Sequence, residues 1–281
     1  MNYRKQLKKL LPLLSKANKH APFTHKESQG KQNNLLQDKC ILITGAAKNI
    51  GKSIVIESAN AGAKHIIAVD IDKNALSTLK EALPELNSIL HCYECDISKA
   101  EEIKNLVTYL TTQKLYIDIL VNNAGIQKTN TNTFKPQDWQ DTFDTNVFGP
   151  MLLTSEITAL MQKNKIKGSV IFITSIHQWT VRKYASYSAS KSALGMIVHE
   201  LAADLASDGI RVNGVAPGWV CLNENEQPRF QEEALLHQQS IPPCYIARAV
   251  VFLVADFFSH YTTGTILKVD SGLSLFNHLT K

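Results

Sequence analysis

The sequence predicts one α/β domain in which a doubly wound, seven-stranded parallel sheet carries helices on both faces. Seven short runs rich in Val and Ile recur along the chain, and near-continuous rather than alternating hydrophobicity marks strands covered on both sides. Amphipathic stretches of helical length separate them, and strands alternating with helices over short connections fold as a parallel sheet. No internal repeat is apparent.

In chain order, the first strand is CILIT at 40–44, followed by a small-residue turn and a helix at 50–61. HIIAVD at 65–70 is the second strand, with a helix at 73–83; 88–95 is the third, with a helix at 99–113. IDILVN at 117–122 and SVIFITS at 169–175 flank a long helical stretch at 136–163. A helix at 185–207, a strand at 211–216, a helix at roughly 246–255 and a last strand at 265–270 complete the domain. The expected catalytic domain is therefore 39–281, preceded by an extension at 1–38.

Composition supports this reading: 44% hydrophobic and 20% charged residues are ordinary for a globular chain. No run reaches the ~18 uncharged apolar residues of a membrane span; the most apolar, 250–258, is interrupted by Asp256. The formal charge of +5 is localised. Residues 1–38 hold eight Lys/Arg against Glu27 and Asp38, a balance of +6, so the other 243 residues carry −1. The body offers no basic face for nucleic acid. Within the extension, Leu7, Leu10, Leu11 and Leu14 form a short apolar stripe among lysines, and Pro12 would kink it. A flexible or loosely docked extension, weak membrane-surface or partner contact by residues 1–20, and a targeting role all remain open, with 29–37 a polar linker.

The five cysteines, Cys40, Cys92, Cys95, Cys221 and Cys244, are odd in number and scattered. Cys92 and Cys95 fall in a predicted strand, where positions three apart face opposite ways. No second pair completes a zinc site. They read as buried thiols of a reducing, cytoplasmic compartment, and no metal is expected.

Chemistry enters at Thr44-Gly45-Ala46-Ala47-Lys48-Asn49-Ile50-Gly51, a tight turn into a helix. The unpaired N–H groups of a helix N-terminus suit a pyrophosphate, and small residues let it approach the backbone. Asp70 follows Gly51 by nineteen residues at the end of the second strand, where a carboxylate accepts from ribose hydroxyls; a turn or helix-capping acid is the competing reading. Further on, Tyr187 and Lys191 are four apart on a predicted helix and share a face. Free Tyr titrates near ~10, and a neighbouring cation favours phenolate. Lowering it to ~7 requires about 4 kcal/mol of differential stabilisation, to which the Lys191 ammonium contributes. Tyr187 would then act as general base or acid, with Ser175 twelve residues upstream holding the substrate oxygen.

Taken together, these residues resemble the short-chain dehydrogenase/reductase family, a Rossmann-fold family with the pattern T-G-x-x-x-G-x-G. Thr44, Gly45 and Gly51 match, and Asn49 stands in place of the middle glycine. Tyr187-Ser188-Ala189-Ser190-Lys191 matches Tyr-x-x-x-Lys, and Asn122-Asn123-Ala124-Gly125 matches N-N-A-G. The resemblance covers about 39–275. It implies a structural Asn122 and a catalytic set of Asn146, Ser175, Tyr187 and Lys191, with Asn146 breaking its helix and holding a water beside Lys191. It implies cofactor contacts at Thr44, Gly45, Lys48, Asn49, Ile50, Gly51, Asp70, Asp96, Ile97, Asn123, Ala124, Gly125, Tyr187, Lys191, Pro217, Gly218 and Val220. Leu222 replaces the usual Thr, with Asn223 or Asn225 as substitutes, and Asp270-Ser271-Gly272 replaces D-G-G.

Cofactor choice is pulled both ways. Asp70 favours NAD by repelling a 2′-phosphate, whereas Lys48 occupies a loop position that is often basic in NADP-preferring relatives. NAD is favoured and NADP remains possible. Ser-Ile-His-Gln at 175–178 is similar to sugar-alcohol dehydrogenases, which makes Ser175, His177 and Gln178 the substrate contacts. Trp179, Trp219 and Phe230 could instead wall an apolar pocket for a 3-oxoacyl or steroid-like carbonyl. The expected activity is hydride transfer between a nicotinamide cofactor and a small secondary alcohol or carbonyl. The alternatives are an NADPH-dependent carbonyl reductase and a dinucleotide-binding regulator. The resemblance further implies a homotetramer or homodimer packed through the helices at 150–163 and 185–207.

Overall fold

The computed structural model describes residues 34–83, 86, 88–128, 134–221 and 233–275, within a compact unit that runs from Gln32 to Lys281. The stripe at Leu7 to Leu14, and Leu222, Asn223, Asn225 and Phe230, lie outside these residues.

Seven strands form one parallel sheet: β1 (Cys40–Thr44), β2 (His65–Asp70), β3 (Ile89–Glu94), β4 (Ile119–Asn122), β5 (Ser169–Ile173), β6 (Arg211–Pro217) and β7 (Ile266–Val269). Their order is β3-β2-β1-β4-β5-β6-β7. The chain leaves β1 toward one edge and returns at β4 on its other side, so a crevice opens between the C-terminal ends of these two strands. Register is pinned by Ile41 facing both Ile66 and Ile119.

Among the described residues, eight α-helices accompany the sheet. On one face α1 (Asn49–Asn60), α2 (Lys73–Ala82) and α7 (Pro243–Val254) bury Ile54, Leu79 and Val250 against Ile41, Ile43 and Ile66. On the other, α3 (Ala100–Thr112), α5 (Gly149–Lys163) and α6 (Ala185–Asp204) bury Leu106, Ile157 and Val198 against Leu42, Ile67 and Phe172. The short α4 (Pro136–Phe143) and α8 (Asp256–Ser259) complete the set. β1 is wholly buried, which is why its apolar run is unbroken. Helix ends follow local chemistry. Asp72 caps α2 by accepting from the Ala75 N–H at 2.9 Å, and α7 opens on Pro243, whose missing N–H costs nothing there. The Arg211 guanidinium donates to the Leu253 and Val254 carbonyls at the end of α7, where a cation also suits the helix dipole.

Three expectations need correction. The helical stretch at 136–163 is not continuous, because a π-helical turn, Asp144–Phe148, separates α4 from α5. The packed domain begins ahead of Lys39: Leu36 is buried beside α1, and its N–H donates to the Ala61 carbonyl at 2.8 Å. The supposed linker therefore ends in core residues, since its one buried leucine is worth more inside than in water. Finally, α7 begins three residues before the expected 246.

Cys92 packs on the α2 face of the sheet and Cys95 on the α3 face. Burial pushes the Cys40 and Cys95 thiols up to about 12, so both are protonated and inert at neutral pH. Among the described residues no helix is long and apolar enough to cross a membrane.

Candidate active site

The turn after β1 is stitched to the segment after β4. The Thr44 hydroxyl accepts from the Asn123 and Ala124 N–H groups, each at 3.1 Å. Asn123 Nδ2 returns two bonds, to the Thr44 carbonyl at 2.9 Å and the Gly45 carbonyl at 3.0 Å. The Asn123 side chain is thus a staple between the two loops, and the next residue, Ala124, lines the crevice. Asn122 is buried and donates to Thr154 Oγ1 at 2.9 Å.

Glycine is required by contact. A Cβ on Gly45, which has φ +61°, would lie 2.9 Å from Ala124 Cα, and one on Gly51 would lie 1.9 Å from the Gly45 carbonyl oxygen. Asn49 takes φ 50°, the left-handed conformation that Asn tolerates better than other side chains, so the turn survives without its middle glycine. Ser271, the other departure, sits at φ 53° for the same geometric reason.

A cavity of about 470 Å³ opens beside this turn, lined by Gly45, Asp70, Asp96, Ile97, Ala124 and Gly125 among others. Asp70 is oriented by the backbone: its carboxylate accepts from Ala47 N–H at 3.0 Å and from Asp72 N–H at 3.0 Å. Asp96 Oδ1 accepts from the Ser98 N–H and hydroxyl at 2.9 and 2.7 Å. Lys48 does not enter the cavity lining; its Nζ lies 2.7 Å from Asp72 Oδ2. The glycine cradle, the oriented carboxylates and the cavity volume fit the adenosine and pyrophosphate portion of a dinucleotide.

The π turn has a clear cause. Asn146 Oδ1 accepts from the Ile126 N–H at 2.8 Å, and its Nδ2 donates to the Ile126 carbonyl at 2.9 Å and Ser190 Oγ at 3.0 Å. One side chain thereby ties the exit of β4 to α6, and a π turn is a frequent device for such an inserted functional group. A Cβ on Gly125 would come within 3.2 Å of Asn146 Oδ1 and 3.5 Å of Lys191 Nζ, which brings these two groups to one place.

Lys191 is buried and donates to the Ile173 carbonyl at 2.8 Å, with Nζ 5.6 Å from the centre of the Tyr187 ring. Burial pulls its ammonium down to about 8, so it stays charged at pH 7. Tyr187 is hydrogen-bonded to Ser175, yet burial raises its phenol above the ordinary value, with the Ser175 bond a smaller opposing effect. The expected depression by Lys191 is not found in the chain itself, because desolvation of the phenolate outweighs the bond that favours it. Ser175, buried, caps the short turn Ile176–Gln178 by accepting from His177 N–H at 3.2 Å.

His177 stands edge-on to Tyr187, ring centres 5.1 Å apart, and its Nδ1 is 3.1 Å from Ser188 Oγ. Burial, with Arg182 and Lys191 nearby, pulls its imidazole down to about 4. The folded state therefore binds fewer protons than the unfolded chain between pH ~6.5 and about 4. Its contribution is intact above ~6.5 and is lost as the pH falls through that window. Urea midpoints at pH 7 and 4.5 are expected to differ less in His177→Asn than in the unaltered protein; equal acid losses would show that His177 is not the buried neutral group drawn here.

Gln178 is turned away from His177. Its Nε2 donates to Thr174 Oγ1 at 3.1 Å, and its Oε1 lies over Gly195 of α6, where no Cβ could fit. Both contacts hold the Gln178 amide between Thr174 and α6. Trp179 is half exposed under the Lys268 ammonium, 4.3 Å from its ring, and Trp219 is also half exposed. Gly218 packs on Asp270, where a Cβ would lie 2.7 Å from Asp270 Cα, and Val220 bridges Ile241 in parallel. Pro217 ends β6 beside them.

Sequence reasoning missed Asp72, Ser98, and the Lys128–Asp141 pair at 2.8 Å, both of whose members line the cavity. Ser98 follows Asp96 by two residues and was within reach of inspection. The pair joins a loop to α4 across thirteen residues that share no motif.

A family model described as short chain dehydrogenase matches residues 39–234. The chain is 35% identical over 249 residues to glucose 1-dehydrogenase of Gluconobacter oxydans, covering 85% of this chain and 92% of that protein. It is 31% identical over 241 residues to 3-oxoacyl-[acyl-carrier-protein] reductase of a Synechocystis species, covering 84% and 96%. The solved structure of 7 alpha-hydroxysteroid dehydrogenase complexed with NADH and 7-oxo glycochenodeoxycholic acid is similar in fold, with a TM-score of 0.78 and 32% identity over 85% of this chain and 96% of that one. With that family match over most of the chain and relatives at 31–35% identity, the chain belongs to the short-chain dehydrogenase/reductase family and is an NAD(P)-dependent oxidoreductase acting on CH–OH groups.

Proposed function

We propose that this protein is an NAD-linked dehydrogenase of a sugar, polyol or similar hydroxylated secondary alcohol, working through Ser175, Tyr187 and Lys191. The observation that carries the reading is His177, held neutral beside Tyr187 with Nδ1 engaged by Ser188. Its Nε2 is then the atom to meet a second substrate hydroxyl, which suits a vicinal diol better than an isolated carbonyl. A bound nicotinamide would accept hydride from the carbinol carbon, or return it in the reverse direction.

In oxidation Tyr187, first deprotonated to solvent in the assembled complex, takes the hydroxyl proton as the carbonyl forms, and in reduction the phenol gives its proton to the carbonyl oxygen. Ser175 donates to the same oxygen and keeps it in line. Lys191, charged up to about pH 8, supports negative charge on the phenol oxygen as the proton leaves. Asn146 positions the exit of β4 next to Lys191. Asp70 accepts from the free ribose hydroxyls and favours NAD over NADP. Substrate-dependent NADH formation across a polyol and sugar panel, compared with Tyr187→Phe, tests the assignment. Activity confined to 3-oxoacyl or steroid carbonyls with NADPH would overturn the substrate class, and silence across the whole panel would overturn catalysis.

A homotetramer or homodimer is part of this proposal. Helix α6 carries apolar residues beyond one face: Leu194 and Val198 are buried in the domain, while Met196 on another side is 59% exposed. An apolar second face suits burial against another copy. Sedimentation velocity is expected to show an assembly of two or four chains, and a monomer at micromolar concentration would overturn it.

A further inference from the structure

We propose that Asp72 sets the cofactor preference of this enzyme by occupying Lys48, a cation of the turn after β1 that would otherwise turn to a 2′-phosphate. The inference rests on the dehydrogenase reading above.

Three polar contacts close a ring beside the cavity, and a fourth anchors it to α2. Ala47 N–H donates to Asp70 Oδ2 at 3.0 Å, Asp72 N–H donates to Asp70 Oδ1 at 3.0 Å, and Lys48 Nζ meets Asp72 Oδ2 at 2.7 Å. Asp72 Oδ1 accepts from Ala75 N–H at 2.9 Å, which fixes the carboxylate at the start of α2. The two aspartates are therefore held together by the backbone, and Lys48 is the flexible partner. Pairing raises the Lys48 ammonium above its ordinary value and lowers the Asp72 carboxyl, as expected for two charges in direct contact.

A free ribose 2′-hydroxyl can donate to Asp70 without disturbing this ring. A 2′-phosphate carries about −1.5 to −2 charges near neutral pH. It would meet two carboxylates and would have to pull Lys48 away from one of them. Exposed ion pairs contribute little to stability, so the Lys48–Asp72 pair is easily rearranged once its acid is neutralised. Lys48 can then turn to the phosphate, which is how one residue outside the recognised motif governs the choice.

Full-length protein, Asp72→Asn and the double variant Asp72→Asn/Lys48→Met are titrated with NADH and NADPH by nicotinamide fluorescence. Asn remains a good N-cap, so α2 keeps its start; Asp72→Ser serves if the Asn variant does not fold. The unaltered protein is expected to bind NADH more tightly. Asp72→Asn is expected to tighten NADPH by about ten-fold with NADH changed less than three-fold, and the double variant to lose that gain. Unchanged NADPH affinity in Asp72→Asn, a gain that survives loss of Lys48, or an initial preference for NADPH would each overturn the inference while leaving the dehydrogenase reading intact. Binding of neither dinucleotide by the unaltered protein would overturn the dehydrogenase reading and this inference with it.

Discussion

Replacing Tyr187 with Phe is expected to lower kcat for alcohol oxidation by about 10²–10⁴-fold, the usual contribution of a positioned general acid–base group. The ring stays, and with it the edge contact to His177 at 5.1 Å and the packing of α6. What is lost is the phenol oxygen and its bond to Ser175. Dinucleotide affinity is expected to stay within about three-fold, because the cavity lined by Gly45, Asp70 and Asp96 does not include Tyr187. Burial keeps the phenol protonated in the chain alone, so proton removal depends on the assembled complex, where charge develops next to the Lys191 ammonium. A variant that kept more than a tenth of the activity would show that the proton leaves by another route.

Gly51→Ala is expected to weaken dinucleotide binding by at least about 100-fold and to cost about 1–3 kcal/mol of stability, the range for overpacking a tight contact. The new methyl would sit 1.9 Å from the Gly45 carbonyl oxygen and 2.9 Å from Ala46 Cα. All these neighbours are backbone, so no rotamer relieves the overlap and the turn itself has to move. Movement there breaks the register between the Ala47 N–H and Asp70, and pulls the Gly45 carbonyl off Asn123. Thermal melting would fall by roughly 2–4 °C per kcal/mol for a domain of this size. Titration with NADH below that melting point separates lost binding from lost fold. Unchanged affinity would show that the turn does not hold the pyrophosphate.

The two variants separate the two ends of the site: one removes chemistry and spares binding, the other removes the cradle. Both ends were legible in the sequence for a shared reason. Tyr187 and Lys191 lie four apart on one helix, and Gly45 and Gly51 lie six apart in one turn, so their relation is local and spacing alone defines it. The seven strands were legible on similar grounds, since burial on both faces writes itself into an unbroken apolar run such as Cys40–Thr44. Even the loss of the middle glycine was readable, because Asn is the side chain best suited to the left-handed turn observed at φ 50°.

Other features depended on which segments the fold brings together. Gln178 packs its amide between Thr174 and Gly195, Asn146 opens a π turn by bonding Ile126, and Leu36 belongs to the core despite its polar surroundings. Asp72 meets Lys48 across twenty-four residues only because β1 and β2 are adjacent and both turns leave the same end of the sheet. The sequence by itself determined the elements, the family and the atoms available for catalysis, because each is encoded in short-range pattern. The tertiary structure alone decided which charges pair and which way each loop side chain turns, because those depend on distances between segments that periodicity and spacing do not carry.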